Sequence, residues 1–238
     1  MPVVGDAWRL SLRAVSRSTD PAAPGGAALP ITEQIATYES EVEGEVIAVD
    51  GPVSSRTRLR FVRNVQVFQG RENETSVHGK EYVVDVRAPH VRDPAGAAAP
   101  DGESQRVLDV VADLGTRARI DELLPDEPMH VGDRRDELAA AIVRIIHPRA
   151  WTLRTGTARL ARVEDDHAVF DVSLDAASEG GLHMTLSGNA RIRIRDARLE
   201  DLTLDGSYET RHDGGADPPG TFSLRRRITS GSAPRNDR

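Results

Sequence analysis

The stretch DELLPDEPMHVGDRRDELAAAIVRIIHP, residues 121–148, gathers the densest set of groups that could do chemistry: His130, Asp133, Asp136, Glu137 and His147. Imidazoles and carboxylates at close spacing are the ligands of divalent metals and the partners of general acid–base transfer. A structural reading competes. Asp133 stands where a helix N-cap is needed, Asp136 and Glu137 suit the positive end of the helix dipole, and His147 suits its negative end. Pro125 and Pro128 stiffen the approach, and Gly132 permits a tight turn. The helix expected over 134–147 places Leu138, Ala141, Ile142, Ile145 and Ile146 on one stripe and ends at Pro148. At ~1.5 Å per residue it would hold His130 and His147 roughly 20 Å apart, too far to share one ion. The structural reading therefore outweighs the metal or acid–base one.

The rest of the chain offers no stronger centre. It has no Cys, which excludes thiol nucleophiles, disulfides and Cys-based metal sites. His78, His90, His167, His183 and His212 show no metal spacing and are expected to face solvent on strands and turns, although His78 could approach His183 if their strands meet. The acidic runs 133–137 and 164–166 lack the calcium-loop pattern. No GxSxG elbow, phosphate loop or dinucleotide fingerprint occurs. No catalytic residue, metal or cofactor is expected. A hydrolase with His and Asp assembled from separate loops stays open as an alternative.

Charge narrows the partners. The net charge of −7 argues against nucleic acid, whose phosphates need a basic surface. Of the 31 basic residues only Lys80 is lysine, a bias of composition rather than of function. The basic runs RLRFVR (58–63) and RIRIR (191–195) face acidic strands and read as neutralised. In SLRRRITSG, Arg225 is placed to pair with Glu209. Arg226 shares the parity of Phe222, Leu224 and Ile228, which points it inward to a buried ion pair or an anion.

The elements that must position these groups are mostly strands. EVEGEVIAVDGPVSSRTRLRFV pairs Val42 with Phe61, Val46 with Thr57, Glu43 with Arg60 and Glu45 with Arg58 around a loop at Asp50–Val53. Near the C-terminus, the alternation from Leu182 to Ile194 and from Leu202 to Tyr208 predicts a second hairpin. The expected register sets Ile192 opposite Leu204, Ile194 opposite Leu202, Arg191 opposite Asp205, Arg195 opposite Asp201, and Tyr208 over Gly188. Further strands are expected at 62–68, 75–87, 157–163, 168–175 and 221–229, with EDDH (164–167) as a turn. A helix over 104–114 is capped by Ser104 and stopped by Gly115. The tripeptide VGD occurs at 4–6 and again at 131–133, each time ahead of a long β section, so an internal duplication is open.

The expected fold is α+β: a long, strongly twisted antiparallel sheet, an open or half barrel, with two to three helices on one face. Residues 1–103 form an N-terminal β section with flexible loops at 18–30 and 88–102. Residues 104–229 supply the helices and a β-meander of the same domain, and 230–238 a disordered tail. The longest apolar run, LAAAIVRII, is too short to span a bilayer. The chain shows no export signal.

At LLPDEPMHVGD, after a short helix and before long amphipathic strands, the sequence resembles uncharacterised secreted or lipid-anchored β-rich proteins of Gram-negative bacteria. These are similar in outline to LolA-like lipoprotein carriers. Such motifs continue with an aromatic after Gly-Asp. Trp8 does so one residue beyond the first VGD, whereas Arg134 and Arg135 follow the second. The resemblance implies a curled sheet with helices against it and a place in the periplasm or outer cell envelope; a cytoplasmic location is the alternative. It supplies no site residue. The functional expectation is a non-enzymatic envelope protein binding an apolar or amphipathic ligand, such as a lipid, or a partner protein. Phe170, Val172, Met184, Leu186, Ile192, Leu204 and Tyr208 are the candidate lining. The alternative is that these residues are ordinary core in a structural or assembly module.

Overall fold

The computed structural model describes residues 3–19, 33–50, 53–85, 90–111, 128–146, 151–178, 180–212, 215–216 and 218–231. In chain order come β1 (Ala7–Thr19), β2 (Glu33–Asp50), β3 (Val53–Phe68), β4 (Arg71–Glu74), β5 (Glu81–Asp85) and β6 (His90–Arg92). Two helices follow, α1 (Asp101–Val111) and α2 (Asp136–Ile146), and then β7 (Trp151–Glu164), β8 (His167–Ser178) and β9 (Leu182–Arg193). The chain closes with β10 (Arg198–His212), β11 (Gly215–Ala216) and β12 (Gly220–Gly231). All pairings are antiparallel, in the order β6-β5-β3-β2-β1-β12-β10-β9-β8-β7, with β4 beside β3 and β11 beside β10. The first and last long strands lie side by side at the centre, so both halves of the chain build one open sheet. The 18 residues of β2 span about 60 Å at ~3.3 Å each.

The two faces follow from period two. On one face the charges form the anticipated ladder: Glu43 opposes Arg60 and Glu45 opposes Arg58, with Val42 against Phe61 and Val46 against Thr57 on the other face. Arg58 reaches Glu45 at 3.2 Å, Arg9 reaches Glu41 at 2.7 Å, and Arg63 bridges Glu39 and Glu72 at 3.1 and 2.6 Å. These exposed pairs each contribute about 0.2–1 kcal/mol and keep that face wet.

The C-terminal hairpin differs from expectation. Leu204 faces Gly188 and Leu202 faces Ala190, a four-residue displacement; Ile192 meets Leu199, and Arg191 meets Asp201. The reason is where the chain turns. Ile194 leaves the sheet in a short 3-10 turn (Ile194–Asp196), and its N–H donates to the carbonyl of Asp166 at 2.8 Å. The hairpin therefore closes earlier than the alternation in RIRIR implies. The even displacement leaves Leu182 to Ile192 and Leu202 to Tyr208 on their expected faces, whereas beyond the bulge at Leu199/Asp201 the expected pattern breaks: Ile194 is exposed and Arg193 is buried. Tyr208 does cover a glycine, but its cross-strand partner is Gly220 rather than Gly188. Arg225 lies opposite Thr203 and Arg13, not Glu209.

Other expectations are corrected. Residues 75–80 form a turn, and only Glu81–Asp85 of the 75–87 segment is strand among the described residues. The expected loop at 88–102 contains β6, a turn at Asp93–Ala97 and the start of α1. Residues 18 and 19 end β1, and 230 and 231 end β12; 20–30 and 232–238 lie outside the described residues. Helix α1 begins at Asp101, and Ser104, inside it, donates its hydroxyl to the carbonyl of Ala99 at 3.0 Å.

The VGD repeat has a structural counterpart. In the first copy the carboxylate of Asp6 accepts the N–H of Val3 at 2.7 Å, Gly5 donates to Val46 at 2.8 Å, and Val46 donates back to Asp6 at 2.9 Å. In the second, Asp133 accepts the N–H of His130 at 2.7 Å, Gly132 donates to Leu160 at 2.8 Å, and Leu160 donates to Asp133 at 2.9 Å. Gly5 and Gly132 have φ of +92° and +102°, the left-handed region that a side chain disfavours. After the first turn β1 runs on along β2, with Trp8 stacked over the bare backbone of Gly44. After the second, Arg134 and Arg135 pair briefly with Arg159 and Ala158 before the chain leaves the sheet as α2. The same docking turn thus starts both halves, and the strand that follows it in the first half is replaced by a helix in the second.

Two apolar clusters occupy the covered face. Under α2, Leu138, Ala141, Ile142 and Val143 pack on Leu160, Phe170, Leu174, Leu186 and Leu202. Under α1, Val107 joins Trp8, Leu59, Phe61, Tyr82 and Ile228. Phe61 and Tyr82 meet edge to face, ring centres 5.9 Å apart. Helix α1 is pinned by Glu103, which accepts from Lys80 Nζ at 2.6 Å and from the Tyr82 hydroxyl at 2.5 Å. Those donors, Lys80 first, hold the Glu103 carboxyl below its ordinary 4.5. Because the folded chain binds that proton more weakly than the unfolded one, the stabilisation is whole above about pH 4.5 and fades as pH falls through the depressed value. Glu103→Gln is expected to lower Tm at pH 7, and its deficit against the wild type should shrink on acidification towards about pH 3. Thermal melts across that range check this; a deficit independent of pH would remove the ion pair from the account.

Candidate functional site

Between the two clusters the covered face is not filled. A cavity of about 540 Å³ lies where β1, β12, β10 and β9 pass beneath the facing ends of α1 and α2. Its floor alternates as strands must: Leu10, Leu12, Ala14 and Ser16 from β1, Phe222, Leu224 and Arg226 from β12, Tyr208 from β10, Leu182 and Met184 from β9. Tyr38 and Gln66, cross-strand partners on β2 and β3, form one side. Arg106, Asp109 and Val110 of α1, Ile145 and Ile146 of α2, and Trp151 of β7 complete it. The lining is predominantly apolar and the volume falls within the ~300–1,000 Å³ of small-molecule pockets.

The gap has a local cause. The apolar stripe of α2 is deepest at Leu138–Val143, and the half-buried Ile145 and Ile146 at its end reach the cavity. The β1 positions there are Ala14 and Ser16, too small to fill the space between the helix ends. Of the expected lining residues, Met184 and Tyr208 reach the cavity. Leu186 borders a small adjoining recess with Val143 and Leu174. Phe170, Val172, Ile192 and Leu204 belong to the closed core of the α2 cluster. The β1, β2 and β3 contributions were missed, although WRLSLRAVS carries a plain period-two signal in Trp8, Leu10, Leu12 and Ala14.

Arg226 is 5 % exposed, as its parity required, with its side chain along the cavity and Nη1 donating to the carbonyl of Leu199 at 3.3 Å. Across the sheet, on the β2–β3 side, a buried amide organises the wall. Asn64 donates through Nδ2 to the Tyr38 hydroxyl oxygen at 2.8 Å and to Ser40 Oγ at 2.9 Å, and accepts from Thr75 Oγ1 at 2.6 Å.

The histidines are less solvent-facing than expected. His167 sits between Glu200 at 2.8 Å and Asp166 at 2.7 Å, beside Arg191, while Arg193 reaches the same Glu200 at 2.6 Å. His183 lies 2.9 Å from Asp175 and 3.7 Å from Glu209. His78 accepts the backbone N–H of Asn64 and approaches Glu74, not His183. Neither His167 nor His183 lines the cavity. His130 is exposed, and the carboxylate of Asp133 closes the VGD turn instead of capping α2; His147 and Pro148 lie outside the described residues. Among the described residues no three His, Asp or Glu side chains converge to hold a metal ion.

No protein-family model matches the chain, and no curated protein matches it in sequence. The cavity therefore carries the functional argument. Among the described residues no helix is long and apolar enough to cross a membrane.

Proposed function

We propose that the chain is a non-enzymatic binder of an apolar or amphipathic ligand, held in the cavity between α1, α2 and the centre of the sheet, and that it works in the bacterial cell envelope. The single observation behind this reading is the unfilled apolar volume of about 540 Å³ at the junction of two otherwise close-packed clusters. The pocket is open on one side, so its predominantly apolar lining faces water, and covering that lining with an apolar ligand is favourable through the hydrophobic effect. The resemblance to LolA-like carriers supports the envelope setting and the lipid class of ligand. Native mass spectrometry of protein purified from its own host tests the reading, together with uptake of the fluorescent hydrocarbon diphenylhexatriene after delipidation. A co-purified lipid, or saturable uptake at one site, supports a carrier. A bare mass with no uptake rejects it and returns the fold to a purely structural or assembly role.

A further inference from the structure

We infer that the cavity selects an acyl chain whose head carries a hydrogen-bond acceptor, a carboxylate or an ester carbonyl, and that the Tyr38 hydroxyl recognises that head. The inference rests on the ligand-binding reading above and deepens it.

The lining changes character along its length. On β1 it passes from Leu10 and Leu12 to Ala14 and Ser16, six residue steps or about 20 Å at ~3.3 Å each. One leaflet of a bilayer holds its chains in about 15 Å, half of the ~30 Å hydrocarbon core, so a single extended chain fits the floor lengthwise. Among the uncharged polar groups of the lining, Ser16 closes the β1 run, and Tyr38 and Gln66 face each other across β2 and β3 one inward-facing position before it, level with Ala14.

Asn64 sets the direction of the Tyr38 proton. The amide is 1 % exposed and its groups are committed: the carbonyl oxygen accepts from Thr75, and the amino group donates to Ser40 and to Tyr38. With its oxygen already accepting, the phenol keeps its own O–H to give, and the Tyr38 side chain lines the cavity. A hydrocarbon tail cannot use that donor, whereas a carboxylate or ester oxygen can.

Two fluorescent probes of similar shape separate head recognition from cavity filling. cis-Parinaric acid is an acyl chain with a carboxylate, and diphenylhexatriene is a rod of hydrocarbon with no acceptor. Tyr38→Phe removes the hydroxyl, and with it both the donor offered to the ligand and the acceptor of one Asn64 N–H. It is expected to weaken cis-parinaric acid about tenfold, the effect of one hydrogen bond to a charged group, and to leave diphenylhexatriene unchanged. A lower Tm with a single cooperative transition is expected from the unpaired Asn64 donor, and unchanged diphenylhexatriene affinity shows that the cavity is intact. Equal affinity of wild type and variant for the fatty acid, or an equal loss for both probes, overturns head recognition and leaves the cavity reading standing. Failure of the wild type to bind either probe overturns the cavity reading itself.

Discussion

Ala14→Trp is expected to abolish ligand uptake, with at least a hundredfold loss of affinity for diphenylhexatriene, while the protein stays folded with a Tm equal to or above that of the wild type. Ala14 stands at the middle of the cavity floor, opposite Tyr38 on β2 and Leu224 on β12. An indole there projects into the space a ligand would occupy, between the sheet and the ends of both helices. In a close-packed core the same change would force neighbours off their rotamers and cost about 1–3 kcal/mol. Here the side chain enters an existing void and replaces missing dispersion contacts, which is the usual route by which cavity filling stabilises. The two readouts together decide the matter. Lost binding with retained stability identifies the void as the site. Retained binding would place the ligand elsewhere, and a marked loss of stability would mean that the space is already spoken for by packing.

Gly188→Ala is expected to destabilise the fold by about 3 kcal/mol, the upper end of the overpacking range. In a chain of this length that lowers Tm by roughly 6–12 °C. Gly188 pairs with Val172 on one side and Leu204 on the other, and a methyl group added there would run into the backbone carbonyl of Thr203 on β10. Gly206 stands in the reciprocal relation to the carbonyl of Thr185 on β9. A flexible side chain could move aside, but a hydrogen-bonded strand cannot, so β9 and β10 would have to separate. Glycine inside a strand is costly in entropy and persists where another backbone approaches this closely. Urea unfolding measures the effect directly, and a change below about 0.5 kcal/mol would show that the two strands have room to give. Because Met184 and Tyr208 lie further along the same two strands, the variant is also expected to loosen the cavity.

The resemblance between the two VGD turns bears on how such a cavity arises. In the first half the turn launches β1, which runs beside β2 and brings Leu10, Leu12 and Ala14 into the sheet centre. In the second half the chain makes the same two backbone hydrogen bonds, with Leu160 in the place of Val46, and then abandons the sheet after Arg135. The sequence difference is local: ALA-rich DELAAAIVRII favours a helix, where AWRLSLRAVS alternates and favours a strand. The first turn thus launches a strand of the floor, and the second launches α2, which joins α1 in the roof.

How far the sequence reaches is visible residue by residue. The alternation of Val42, Val46 and Phe61 against Glu43, Glu45, Arg58 and Arg60 determined both the pairing and the faces of the N-terminal hairpin, because Asp50–Val53 closes it locally and hydrophobic and charge patterns admit one register. The stripe of α2 and the inward parity of Arg226 are likewise periodic facts of a short segment. The C-terminal hairpin kept its faces up to Ile192 and lost its register, since the deciding contact, Ile194 to Asp166, joins turns that lie far apart in the chain. His183 gained Asp175 of β8 and Glu209 of β10, and His167 gained Glu200 of β10, through pairings that no single segment encodes.

By itself, then, the sequence determined the predominantly antiparallel β character of the fold, the inner and outer faces of most strand positions, and the amphipathic helix α2. Parity is a property of each strand alone, and it survives any even slip in pairing. Tertiary structure alone decided which inward residues are sealed and which border open space. Phe170, Val172, Ile192 and Leu204 have the same pattern as Met184 and Tyr208, yet the first four lie in the closed core of the α2 cluster and the last two border the void between the helices. Whether an apolar side chain becomes core or lining depends on where the helix ends fall over the sheet: α1 packs by β6 and α2 on β7 and β8, and the pairing of β1 with β12, segments more than a hundred residues apart, sets the two halves side by side.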